Sequence, residues 1–98
     1  MSADDPARWY CCSLGDGLQA AQPLDAIRQA FVRRYPVVTP DTAVFLRHRL
    51  EGLHCDTTVF FTPALADLAR EFGAHRCYPP DAGEVELLIG SDQLLPRH

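Results

Sequence analysis

The chemistry this sequence offers begins at His54-Cys55-Asp56, where an imidazole, a thiol and a carboxylate follow one another. A thiol becomes a nucleophile when a neighbouring base takes its proton, and histidine is a usual base. Consecutive residues on a strand point to opposite faces, so neither His54 nor Asp56 would serve Cys55. His48 is better placed if Val44, Leu46 and His48 face the same side as Cys55 across a hairpin. The ordinary outcome for His48 is a half-buried histidine near the open end of that hairpin.

Cys11, Cys12, Cys55 and Cys77 are the four cysteines. The chain opens Met1-Ser2-Ala3-Asp4-Asp5-Pro6, which lacks the charged and apolar regions of a secretory signal, so a reduced cytoplasmic setting with free thiols is expected. Cys11 and Cys12 are adjacent and would project to opposite faces of a strand. Zinc needs about four sulfur or nitrogen ligands in tetrahedral array. Cys11, Cys55 and Cys77 with His54 and His75 are the candidates, but no C-x-x-C or H-x-x-x-H spacing links them. No cofactor is therefore expected, and zinc is the alternative.

All 9 basic residues are arginine, and lysine and asparagine are absent. The missing lysine excludes Schiff-base chemistry and a Walker-type phosphate site. A GC-rich, bacterial genome accounts for the bias, both missing residues having AT-rich codons. The net charge of −4 disfavours a general polyanion binder, and no run of residues is apolar enough to span a membrane. Arg47 and Arg49 alternate with Phe45 along one strand face and form the candidate ligand site, suited to a carboxylate or phosphate. Surface pairing with Glu84, Glu86 or Asp56 is the ordinary alternative, and Arg33-Arg34 would add to the basic cluster.

These groups need a scaffold. Arg8–Leu14 reads as a strand ending at Gly15-Asp16-Gly17. Pro23 opens a helix whose Leu24, Ile27, Phe31 and Tyr35 share a face, with Asp25 in its first turn and Arg33-Arg34 in its last. Ala43–Leu50 and His54–Phe61 alternate as a hairpin around Glu51-Gly52. Thr62 caps a second helix with Pro63 at its first position, Leu65, Leu68, Ala69 and Phe72 inward, and Gly73 at its end. His75–Tyr78 is a short edge strand or loop before the Pro79-Pro80 break. Glu84–Ile89 is the last full strand, with Val85, Leu87 and Ile89 inward.

The order is that of a ferredoxin-like βαββαβ two-layer sandwich: a four-stranded antiparallel sheet with two helices on one face, strand order 4-1-3-2. Residues 1–98 form one domain, with 1–7 and 93–98 as loose tails. Its uncovered face would expose Phe45, Phe60, Tyr10 or Trp9, and soluble domains commonly hide such a patch in a homodimer. The strand His54–Phe61 reads HCDTTVFF, without the glycine and basic residue of an RNA-recognition strand, so nucleic acid is not the expected partner. The expected function is a non-enzymatic interaction module binding a protein or small acidic ligand. The alternative is a metal-binding or thiol-dependent enzyme with a Cys/His site at a subunit interface.

Overall fold

The computed structural model of the protein describes residues 8–81 and 85–89. The expected tails, 1–7 and 93–98, lie outside them. The elements follow as β1 (Trp9–Asp16), α1 (Gly17–Arg34), β2 (Val44–Glu51), β3 (His54–Phe61), a 3₁₀ turn (Pro63–Leu65), α2 (Ala66–Glu71), β4 (His75–Cys77) and β5 (Val85–Leu87).

β2 and β3 form the expected hairpin. His48 pairs with Thr57, Leu50 with Cys55 and Glu51 with His54, closing a two-residue loop at Gly52-Leu53. Gly52 has φ +62°, and among the described residues none other than glycine has positive φ, so glycine takes the first central position of the loop, as in a type II′ turn. This pairing fixes which side chains share a face, and both candidate sites depend on it.

β1 runs past the expected end at Leu14. Its pairing with β3 shifts between Ser13 and Gly15, and Gly15 at φ +96° absorbs the extra residue as a bulge does. The helix then begins at once, at Gly17. Pro23 lies inside α1 and does not open it. Its ring removes the N–H that would bond the carbonyl of Gln19 and crowds that carbonyl. The helix survives because Ala20, Leu24, Ile27 and Phe31 form one buried stripe, and Ala20 extends that stripe one turn before the proline. Asp25 consequently sits in mid-helix, accepting hydrogen bonds from Arg28 at 3.1 Å and Gln29 at 2.9 Å. Arg33 and Arg34 do close the last turn.

Thr62 does not cap the second helix. Its hydroxyl donates to the Asp41 carbonyl at 2.7 Å, tying the start of β2 to the end of β3. Pro63–Leu65 turns as 3₁₀ before α2 begins. Gly73, at φ +72°, ends the helix: its N–H donates to Arg70 and that of Ala74 to Ala69, a Schellman closure.

The sheet has five antiparallel strands in the order β4-β1-β3-β2-β5, which overturns the four-stranded ferredoxin-like sandwich. His75–Cys77 takes the free edge of β1 through Trp9↔Cys77 and Cys11↔His75. The last strand then has no edge there and joins β2 through Phe45↔Leu87 and Arg47↔Val85. Crossing four strand spacings takes ~19 Å, within reach of about eight extended residues from Cys77 to Val85. The inward pattern of the last strand also differs. Leu87 is 49% exposed, whereas Leu88 and Ile89 are buried, because the Leu88 N–H turns to the Val44 carbonyl at 2.7 Å.

Both helices pack on one face of the sheet. Tyr10, Cys12, Val44, Leu46, Val59 and Phe61 meet Leu24, Ile27, Phe31, Leu65, Leu68 and Ala69 in a single cluster. Tyr10 therefore belongs to the core and not to the uncovered face. No helix among the described residues is long and apolar enough to cross a membrane.

Candidate functional site

The register assigns the helix-free face. Cys11 is opposite Phe60, Phe60 opposite Phe45, and Phe45 opposite Leu87; Arg47 is opposite Thr58 and Arg49 opposite Asp56. Trp9 and Cys77 continue that face onto β1 and β4. The result is an aromatic floor of Trp9, Phe45 and Phe60 with two guanidinium groups beside it.

Arg47 lies over this floor. Its guanidinium carbon is 5.0 Å from the Phe60 ring centroid, a cation–π contact that holds the planar group down. Phe60 is only 3% exposed as a consequence. Among the described residues the Arg47 Nε is buried without an acceptor, and the ion pairs Arg28–Asp25, Arg34–Glu71 and Arg70–Asp67 involve neither Arg47 nor Arg49. Glu86 is in register with Leu46 and so faces away from Arg47. Arg33 and Arg34 end the helix on the far side of the sheet and do not join the cluster.

The cysteines divide between the faces. Cys12 is in the core, where burial and then the neighbouring Cys11 push its thiol up to about 11. Cys77 is pushed up to about 12, first by burial and then by its hydrogen bond with Cys11, with Arg47 pulling the other way. Both stay protonated at neutral pH. His75 is exposed on β4, and His54 is exposed at the tip of the hairpin. Cys55 lies on the opposite face from Cys11 and Cys77. Among the described residues no group of three or more His, Cys, Asp or Glu side chains is placed to hold a metal ion, so the candidate zinc ligands are not gathered.

Cys55 and His48 do come together. The register sets His48 beside Thr57 and diagonal to Cys55, leaving the Cys55 Sγ 3.8 Å from His48 Nδ1. The same nitrogen is 3.0 Å from the Thr57 hydroxyl, and Thr57 is buried. Cys55 also lines a cleft of about 350 Å³ with Asp16, Gly17, Leu18, Gln19 and Leu53.

The chain matches no protein-family model, no curated protein and no solved structure. With no relative to lend a role, geometry alone separates the two sites. Sequence parity placed Phe45, Arg47 and Arg49 on one face and His48 with Cys55 on the other, and the register agrees. It missed Thr57, whose place opposite His48 follows from counting back from the Gly52 loop. It also missed Leu18 and Leu53 as cleft walls, which no local pattern marks.

Proposed function

We propose that this protein is a binding module whose helix-free sheet face receives a carboxylate, borne by a small acidic ligand or by an acidic side chain of a protein partner. The observation that carries this reading is Arg47: its guanidinium lies over Phe60, and its buried Nε lacks an acceptor among the described residues. A guanidinium presents its donors as a fork that matches a carboxylate, and a buried unsatisfied donor costs about 1–3 kcal/mol until an acceptor arrives. Arg49 adds charge along the same strand, and Trp9 and Phe45 offer apolar contact to the body of the ligand. Four free thiols suit a reducing compartment, so a cytoplasmic setting is part of the proposal.

Trp9 is the only tryptophan and its ring is 5.7 Å from that of Phe45, so its fluorescence reports on this face directly. Titration with benzoate, and with a glutamate-rich peptide, is expected to give a saturable change that weakens with salt and is lost in Arg47→Ala. An identical titration in Arg47→Ala would overturn the reading. The expected homodimer is the competing use of the face, and a mass that doubles with concentration and is insensitive to the carboxylate would assign it to a second copy.

A further inference from the structure

The Arg47 guanidinium lies over Phe60, whereas Asp56, the acidic residue of the same face on β3, is in register with Arg49. The buried Arg47 Nε has no acceptor among the described residues, and residues 1–7 lie outside them. We propose that Arg47 receives the carboxylate of Asp4 or Asp5 of the same chain, so that the face is occupied by its own N-terminal segment ahead of any external acidic ligand. This occupancy rests on the carboxylate reading of the face and names the group that a ligand must displace.

Charge, place and reach favour that segment. Residues 1–7 read MSADDPA, with two carboxylates and no basic side chain. They join the sheet at Arg8-Trp9, and Trp9 is itself part of the aromatic floor, its ring 5.7 Å from that of Phe45. Arg8 is held at the same margin, its guanidinium carbon 5.9 Å from the Tyr78 ring centroid. Trp9 stands two residues before Cys11, which is opposite Phe60, so Phe60 is ~7 Å along the strand and ~5 Å across it from the point of entry. Asp5 is four residues before Trp9 and Asp4 five, spans of up to ~13–17 Å. Either carboxylate therefore reaches a guanidinium over Phe60 once the chain doubles back, and the pair Asp5-Pro6 is of a kind that favours such a reversal.

An acceptor tethered by a few residues is present at an effective concentration of about millimolar, so the pair forms without needing a strong contact. The aspartates bring no apolar body to Trp9 and Phe45. That contact is what an external ligand adds when it displaces them.

The full chain is compared with Asp4→Asn/Asp5→Asn and with Asp25→Asn/Asp67→Asn, which removes the same charge from the helices behind the sheet. The first readout needs no ligand: the Nε–H resonance of Arg47 by NMR, assigned by its loss in Arg47→Lys. It is expected to move in Asp4→Asn/Asp5→Asn, to stay in place in Asp25→Asn/Asp67→Asn, and to be independent of protein concentration. The second readout is benzoate titration followed by Trp9 fluorescence, whose midpoint is expected to be several-fold lower in Asp4→Asn/Asp5→Asn. A resonance unmoved in Asp4→Asn/Asp5→Asn overturns self-occupancy, and a benzoate response that persists in that case leaves the carboxylate reading standing. A moved resonance with no benzoate response in any variant supports self-occupancy and removes the external ligand. Equal movement in both double variants reduces the effect to general charge, and movement that grows with protein concentration seats the segment on a second copy; either result overturns the proposal.

Discussion

The rings of Trp9 and Phe45 lie 5.7 Å apart and tilted by 57°, although their strands are not neighbours, β3 standing between them. Contact over an intervening strand makes the aromatic floor one surface and not two side chains. Phe45→Ala is expected to move the emission of Trp9 to longer wavelength as water reaches the ring. The same substitution should lower stability by about 1–3 kcal/mol in urea unfolding, from lost burial plus the ring pair. Unchanged emission would show that the two rings do not meet in solution.

Pro23 gives a sharper test of the first helix. With the helix running through it, Pro23→Ala restores a donor to the Gln19 carbonyl and relieves the ring clash, and unfolding free energy is expected to rise by about 1–3 kcal/mol. Were Pro23 the opening residue, the missing N–H would cost nothing and alanine would bring no gain. Circular dichroism alongside urea denaturation distinguishes the two.

Alkaline pH should unfold the protein through its buried thiols. Cys12 is raised from an ordinary 9.0 to about 11, so the fold favours its neutral form. Below pH 9 the thiol is protonated in both states and adds no pH dependence. Between 9 and about 11 the unfolded chain loses its proton first, and stability falls across that window by roughly 1–3 kcal/mol. Urea midpoints measured from pH 8 to 11 should therefore fall less steeply in Cys12→Ala than in the wild type. Parallel slopes would mean that water already reaches the Cys12 sulfur.

What the sequence disclosed follows the reach of each signal. Alternation over Val44–Leu50 and His54–Phe61, with glycine between, defines a hairpin locally, and parity then assigns Phe45, Arg47 and Arg49 to one face and His48 with Cys55 to the other. Pro23 reads as a helix start because proline suits the first helical position, whereas the helix begins earlier on the stripe opened by Ala20, which is buried by tertiary packing. Thr62 misled for a related reason: its hydroxyl had a rival acceptor in Asp41, 21 residues away in the chain. The strand order was not legible because His75–Tyr78 reads equally as a short edge strand or as loop, and its three strand residues, His75–Cys77, take the edge that the last strand would otherwise have used. The lean of Arg47 onto Phe60 is a rotamer choice, invisible to spacing.

β4 and β5 each contain three residues, and they form the two borders of the sheet. A border strand offers unpaired N–H and C=O groups to any passing chain, and short borders are among the means by which natural sheets refuse such additions. The long strands, at eight residues each, are all interior. β4 covers β1 at Trp9–Cys11 and β5 covers β2 at Phe45–Arg47, so each border shortens the ladder that a neighbouring chain could copy.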